Sequence, residues 1–485
     1  MSKETEKLLF LLELYFLQAD ATLTLKVSVT PMPSSTVKKS ATRDMTSGSI
    51  VSQILLFSLP LMLGNIFQML YNTVDVIVVG QFVGKEALAA VGSTTLIINM
   101  LVFFFNGFSV GAGVVIARSF GARALKQLHT EVQTTMTSTF VICILFTAIG
   151  ILGTRPMLHL MATPDDVLED ATTYLTIYFS GLSGLLIYNM GSGILRAVGD
   201  TKRPLYFLIF TSIVNTILDL VFVVFLNAGI AGVAYATILS QFISALLILF
   251  LLTRTQDIYR FTLNDLGIDF SVLKRIFSVA LPAGIQSVVT SISNIFVQSY
   301  INFFGSSCMA GWGCYNKLDQ FILLPMQSMA MAATTFVSQN IGAKKEERAS
   351  KGTYTSIALS VSVTGIVALI LFLFSRTAIR LFTSDPSVID FGVLFIRTNV
   401  FFLMLNCVNH VLAGALRGRG DARGPMAIML ICFVAFRQLY LFVVTRFIAN
   451  TPRIVGLSYP VGWTLCFLME VGYALYQSKK RQTIG

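Results

Sequence analysis

The sequence predicts an all-α integral membrane protein, with twelve transmembrane helices in two six-helix bundles related by a parallel internal repeat. Three observations predict it. The 485 residues are 55% hydrophobic and only 12% charged, with a mean hydropathy of +0.75, whereas about a quarter of a soluble chain is charged. Apolar stretches recur that match the roughly 20 residues needed to cross a bilayer as helix. Finally, the two halves share short motifs at a constant offset of 221 residues. A large soluble catalytic domain has no room in such a chain.

A window of about 19 residues places the spans near 54–80, 93–117, 132–153, 171–193, 205–227, 230–252, 276–303, 312–337, 354–375, 391–413, 426–447 and 455–476. Pro60, Pro282 and Pro325 fall inside spans and are candidate bends, tolerated where neighbouring groups satisfy the freed backbone. The expected organisation is an N-terminal tail or start-site artefact over 1–44, a six-helix lobe over 45–253, a linker over 254–275, a second six-helix lobe over 276–478 and a basic tail over 479–485. Within 1–44 the apolar run Leu8 to Leu17 is interrupted by Glu13 and is too short to span. Ser, Thr and Pro dominate from there to Arg43, the composition of a disordered tail; a working protein that begins near Met45 fits equally well.

The net charge of +11 is a topology signal. Lys38, Lys39 and Arg43 just before span 1, the connections after even-numbered spans and the C-terminal tail carry 23 Lys and Arg, against six on the opposite side, which also holds Asp165, Asp166, Glu169 and Asp170. By the positive-inside rule both termini are cytoplasmic and the chain is a multi-pass protein of the plasma membrane. Sorted this way, the basic excess requires no nucleic-acid partner. The six cysteines form no C-x-x-C and the three histidines no metal-binding spacing, so neither a zinc site nor metallopeptidase chemistry is supported, and no cofactor is expected.

The repeat is clearest where Gly193-Ile-Leu-Arg-Ala-Val-Gly-Asp-Thr-Lys-Arg-Pro204 meets Gly414-Ala-Leu-Arg-Gly-Arg-Gly-Asp-Ala-Arg-Gly-Pro425. Gly121-Ala122-Arg123 pairs with Gly342-Ala343-Lys344 and Phe82-Val-Gly84 with Phe303-Phe-Gly305 at the same offset. Six spans per half is an even number, so both copies enter the membrane from the same side, the parallel arrangement of certain secondary transporters, with substrate between the bundles. In the shared Leu-Arg-x-x-Gly-Asp element, Arg196 with Asp200 and Arg417 with Asp421 are expected to brace a glycine turn rather than touch substrate.

Ionisable groups inside spans each need a reason, since insertion costs about 2.5 kcal/mol or more. Asn65, Gln68, Asn72 and Asp75 succeed one another at i, i+3, i+7 and i+10, on one helix face. Asn215 and Asp219 stack four apart in span 5, and Thr237 lies in span 6. Two carboxylates with amide and hydroxyl oxygens suit a hard cation such as sodium, or one carboxyl carries a proton. The alternative is that these groups only bond helices together, which is the favoured reading for the amides and hydroxyls. In the second half, Gln286, Asn294 and Asn406 join Gln68 and Asn72 as candidate cavity residues; Asn399, Asn409, Lys317, Asp319, Arg437 and Glu470 read as structural, with Glu470 a possible partner for Arg437.

Taken together, Met45-Thr-Ser-Gly-Ser-Ile50, Phe57-Ser-Leu-Pro60, Gln68-Met-Leu-Tyr-Asn-Thr-Val-Asp75, Gly80-Gln-Phe-Val-Gly84 and the paired Leu-Arg-x-x-Gly-Asp segments resemble the multidrug and toxic compound extrusion family, from about residue 45 to 478. The resemblance implies a two-lobed, twelve-helix antiporter that exports organic cations or other amphiphilic, drug-like compounds against inward sodium or proton flow; the chain is expected to work as a monomer. It is nearest the DNA-damage-inducible branch, whose first-helix Asp, fifth-helix Asn-x-x-x-Asp and sixth-helix hydroxyl match Asp75, Asn215, Asp219 and Thr237, the set that would hold Na+ if sodium is the coupling ion. Another branch carries acidic residues in helices 7 and 10, where this chain has amides. A lipid-linked saccharide flippase of similar fold is the first rival, and would need a more basic cavity than the sequence offers. A membrane-embedded enzyme or receptor is the second, and lacks any nucleophile paired with a base.

Overall fold

A computed structural model of the chain describes residues 42–161 and 163–484. The apolar windows become helices longer than themselves, because a backbone leaving the lipid core keeps its internal hydrogen bonds until a turn residue stops it. In the first lobe these are α1 (Ile50–Val78, closing in a π turn Val79–Val83), α2 (Lys85–Gly121), α3 (Leu125–Leu160), α4 (Asp165–Ser180), α5 (Leu182–Ala197), α6 (Lys202–Asp219, followed by a π turn Leu220–Phe225) and α7 (Gly229–Arg254). The second lobe holds α8 (Phe270–Asn302), α9 (Ser306–Gly342), α10 (Glu346–Leu373), the short α11 (Ser375–Arg380), α12 (Pro386–Asn399), α13 (Leu403–Gly418), α14 (Arg423–Leu430), α15 (Arg437–Phe447), α16 (Pro452–Gly456) and α17 (Ser458–Ile484). Eleven passes are helical stretches of 24 to 37 residues. The fourth is broken into α4 and α5 at Gly181, where a Cβ would lie 2.3 Å from Ile238.

The repeat is visible in backbone conformation. Gly84 and Gly305, 221 apart, have φ of +128° and +89° and start α2 and α9. Arg123 and Lys344, at the same offset, both hold φ near +55° (55° and 58°), and Gly199 and Gly420 both have positive φ of +87° and +94°. A side chain at Gly199 would also meet the Arg43 carbonyl at 2.3 Å, so glycine is required there on two counts.

Each lobe has its own apolar core, one around Phe105, Phe179 and Ile194 and the other around Trp312, Phe395 and Leu441. Lipid tails are as apolar as leucine, so the lobes are held by close packing of small residues and by buried hydrogen bonds rather than by burial from water. The outer faces accordingly expose Ile144, Leu152, Leu246 and Phe250. Between lobes, α2 packs on α8 with Gly107 against Gly284 and Gly111 against Ala280, at would-be Cβ separations of 2.5 and 2.7 Å. A Cβ on Gly121 would lie 1.9 Å from the Gln339 carbonyl, and one on Gly342 1.9 Å from the Arg118 carbonyl. Arg118 and Gln339 are themselves 221 apart, so each half makes the same contact to the other, as a two-fold axis requires.

The reciprocal contacts of Gly121 and Gly342 lie at the helix ends that carry the basic connections. There the segment 43–47 threads between lobes: Arg43 N–H bonds the Val198 carbonyl at 3.0 Å, Met45 N–H bonds Gln339 Oε1 at 2.9 Å, Lys345 Nζ bonds the Thr46 carbonyl at 2.8 Å, and Arg348 Nη2 bonds the Ser47 carbonyl at 2.8 Å. Arg43 and Asp44, expected in the tail, are thus part of this clamp, Asp44 lying 3.7 Å from Arg123; the expectation for residues 1–41 lies outside the described residues. Two other boundaries move. Helix α8 begins at Phe270 because Asp269 caps it, accepting from the Ser271 and Val272 amides. Helix α17 runs on to Ile484, so the basic residues 479–481 extend a helix rather than form a tail.

Candidate functional site: a polar cavity between the lobes

Sealed at the basic end by these contacts, a cavity of about 450 Å³ lies between the lobes, within the range of small-molecule sites. Asn65, Gln68 and Tyr71 of α1, Asn106 and Ser109 of α2, Tyr188, Asn189 and Arg196 of α5, Asn215 of α6, and Thr237 and Gln241 of α7 line it from the first lobe. The second lobe contributes Gln286, Gln327, His410 and Arg417, with Phe433 and Met429 as apolar wall. No Asp or Glu is among the lining residues.

The coupling candidates come together beside this cavity. The carboxyl groups of Asp75 and Asp219 lie within hydrogen-bonding reach of each other, yet Asp75 Oδ1 and both Asp219 oxygens have no donor, and neither does the Asn215 amide find a partner for its oxygen or its nitrogen. Asp219 is fully buried. Ionised carboxylates only accept, so two side by side call for a shared proton or a bound cation. Asn215, one turn before Asp219, and Thr237, whose hydroxyl donates to the Val233 carbonyl at 3.0 Å and keeps its lone pairs free, stand at the cavity wall. The helix changes to a π turn at Leu220, immediately after Asp219, a local irregularity common at functional sites. Among the described residues no group of three or more His, Cys, Asp or Glu is clustered as a metal site, so the candidate set here is two carboxylates with neighbouring amide and hydroxyl oxygens.

Sequence reasoning missed the aromatic shell of this pair. Tyr174 of α4 lies next to both carboxylates, beside Tyr71 and Tyr178. Tyr174 and Tyr178 stack at 6.5 Å between ring centroids. Their i, i+4 spacing was the available signal, but a tyrosine pair in an apolar run reads equally as lipid-facing.

Of the five cavity candidates, Gln68 and Gln286 line it. Asn72, Asn294 and Asn406 do not. The wall contributed by α1 ends at Tyr71, and the seven-residue step from Asn65 keeps Asn72 on the same face but carries it about 10 Å further along the axis, to an exposed position. Asn294 accepts from Arg437 Nη1 at 2.9 Å, and Asn406 is buried within the second lobe. Arg437 also lies 4.3 Å over the Tyr459 ring, so its partners are Asn294 and Tyr459; Glu470 neighbours Arg417 instead. Lys317 lies over the Phe382 ring and Asp319 beside Tyr315, so these two do not neutralise each other directly.

The Leu-Arg-x-x-Gly-Asp element divides its work differently from the expectation. Asp200 accepts from the Lys202 and Arg203 amides at 3.2 Å each and pairs with Arg203 at 3.4 Å; Asp421 accepts from the Gly424 amide at 3.0 Å and the Tyr473 hydroxyl. Burial pushes the Asp200 carboxyl above its usual range despite these donors. The arginines join the turn only through their backbone carbonyls, which accept from Gly199 N–H at 3.0 Å and Gly420 N–H at 2.8 Å, and their side chains leave it. Arg196 donates to Ser109 Oγ at 2.9 Å, Arg417 to the Ala413 carbonyl at 3.2 Å, and both face the cavity. The cavity is therefore more basic than the sequence suggested, because the last turn of α5 and of α13 points inward while the loop after it points out.

Comparisons with known proteins bear on this architecture. The MatE family pattern matches residues 60–221 and 282–440, one match in each lobe. The chain is 26% identical over 448 residues to the probable multidrug resistance protein YoeA of Bacillus subtilis, covering 91% of this chain and 97% of that one. It is 29% identical over 434 residues to the probable multidrug resistance protein YpnP of the same organism, covering 90% and 96%. A solved structure described as the outward-facing conformation of a multidrug resistance MATE family transporter superposes with a TM-score of 0.85 at 23% identity, over 90% of this chain and 98% of the other; at that identity it speaks for the fold. With the family pattern repeated in both six-helix lobes around a common cavity, the chain belongs to the MatE family of membrane transporters and is not an enzyme.

Proposed function

We propose that the chain exports amphiphilic small molecules in exchange for inward Na+ or H+, by alternating access of the cavity between its lobes. The observation that carries the coupling is the Asp75 and Asp219 pair, adjacent and short of donors beside a cavity whose other polar groups are neutral or basic. The relatives named as multidrug resistance proteins support the substrate side. With the basic end cytoplasmic and both termini inside the plasma membrane, the packed end seals the cytoplasmic face, and the cavity of this conformation belongs to the external side. A cation or proton arriving from outside binds Asp75, Asp219 and Asn215. Because a ligand shifts an equilibrium only through different affinity for its states, the ion must favour the state that releases substrate. The cavity is built from one chain, so a monomer suffices.

Efflux of two fluorescent amphiphiles, ethidium as a cation and a carboxyl-bearing rhodamine as an acid, from proteoliposomes under a sodium gradient alone, then a pH gradient alone, tests the reading with whichever is exported. Gradient dependence is expected for one ion and is expected to vanish in Asp75→Asn; transport with undiminished gradient dependence in that variant refutes the assignment. Arg196, Arg417 and His410 in the cavity favour the flippase reading more than the sequence did. Rescue of a flippase-deficient strain, absent a dye-efflux phenotype, would establish it instead.

A further inference from the structure

We infer that the cavity binds an acidic group of its substrate between Arg196 and Arg417, so that the transported class is amphiphiles bearing a carboxylate, sulfonate or phosphate. The inference rests on the transport reading and narrows its substrate.

Both arginines line the cavity, at equivalent places in the two lobes, and no lining residue is acidic. Each guanidinium carries five N–H donors. Arg196 makes a side-chain bond to Ser109 Oγ, and Arg417 uses Nε on a carbonyl of its own helix. Among the described residues neither lies within 4.0 Å of a carboxylate. Glu470 of α17 acts on Arg417 from a fully buried position outside the cavity wall, and Arg196 has no such neighbour. A purely structural role in the turn is taken by Asp200 and Asp421, which cap the next helices without the arginines. His410, seven residues before Arg417 and so two turns away on the same face, lines the cavity too. A guanidinium inside a membrane is costly, and two of them with free donors aimed into one cavity are matched by an anion, which arginine binds through paired N–H groups. Leu205, Leu208, Met331, Met429 and Phe433 form an apolar wall for the rest of the ligand. An organic cation would find no carboxylate on this cavity wall, only aromatic faces and the neutral oxygens of amides and hydroxyls.

A rhodamine bearing a free carboxyl and its methyl ester differ in that group alone. Their binding to the purified full chain is measured by fluorescence anisotropy, which needs no gradient. The acid is expected to bind about tenfold or more tightly than the ester, the scale of one charge-assisted hydrogen bond. Arg196→Gln and Arg417→Gln are each expected to abolish that preference and to leave the ester within about twofold, while Arg196→Lys and Arg417→Lys retain most of it. In proteoliposomes, flipping of a fluorescent polyprenyl phosphate followed by dithionite quenching marks a lipid-borne phosphate as the source; efflux of the rhodamine acid without flipping marks a soluble anion. Equal affinity for acid and ester in the parent chain overturns the inference, as does an acid preference that survives both Gln variants. Should the Gln variants fail to fold, Lys variants that fold and show no acid preference overturn it equally. Because binding is read without a gradient, a failed coupling experiment at Asp75 leaves this result standing, and the reverse also holds.

Discussion

Replacing Gly121 by alanine tests the packed end of the transporter directly. The new Cβ would stand 1.9 Å from the Gln339 carbonyl oxygen, where ordinary contact begins at 3.4 Å, so α2 and α9 must separate by about 1.5 Å at their crossing. The obstructing atom is backbone, which cannot swing aside as a side chain could. Overpacking of this kind costs about 1–3 kcal/mol, charged only against the state in which the two helix ends touch. The population open at the basic end should then rise by roughly 5- to 150-fold. Gln327→Cys, on the cavity wall, reports it in a background with Cys314 replaced by Ser, since the other five cysteines are buried. A membrane-impermeant maleimide should label the parent from the side opposite the basic end and Gly121→Ala from the basic side as well. Gly342→Ala, with the reciprocal 1.9 Å contact, should behave alike, and Gly92→Ala, which meets nothing within 4 Å, should not. Folded Gly121→Ala and Gly342→Ala proteins with unchanged sidedness would refute the reasoning that these glycines hold the closed end.

Other consequences are open to measurement. Arg348→Ala removes donors to the Met45 and Ser47 carbonyls; loss of charged hydrogen bonds of this kind should cost the sealed state about 1–3 kcal/mol, read with the same cysteine label. Asp44 lies in the same clamp: burial raises its carboxyl, but the Thr46 hydrogen bonds and the Arg123 and Lys345 charges outweigh this and hold it below the ordinary 3.8. A depressed carboxyl stabilises the fold above its unfolded value and loses that contribution as pH falls through the folded one, so the melting difference between the parent and Asp44→Asn should be full at neutral pH and shrink below about pH 4. Asn294→Leu leaves a donor of the buried Arg437 guanidinium unpaired and should cost about 1–3 kcal/mol, whereas Arg437→Met with Asn294→Leu should recover most of it; equal melting of single and double variants would refute the pairing.

Much of the site was legible because a carboxylate in a lipid-crossing segment is rare enough to be noticed. Asp75 and Asp219 stood out in the sequence for that reason, and the spacing of Asn215 and Asp219 placed them on one face. Their mutual contact was not legible, since α1 and α6 are separated by more than a hundred residues and nothing local brings them together. Tyr174 failed to stand out because an aromatic residue costs nothing in a span, so its place beside the carboxylates depends on the kink at Gly181 and the tilt of α4. The arginines of the repeated motif misled for a related reason: a span-end arginine satisfies the positive-inside rule wherever its side chain points.

Composition, apolar periodicity and the 221-residue offset by themselves determined the membrane class, the twelve passes, the two equivalent lobes and the residue types that membrane insertion makes conspicuous. These properties are local or additive along the chain, and lipid leaves a helix few alternatives. Tertiary structure alone decided which end is sealed, that Gly121 and Gly342 make reciprocal contacts, that Arg196 and Arg417 share a cavity, and that Arg437 rests on Asn294 and Tyr459. Each of those depends on the rotation and depth of one helix against another, and helix packing is set by the shapes of two surfaces at once, which neither sequence segment contains.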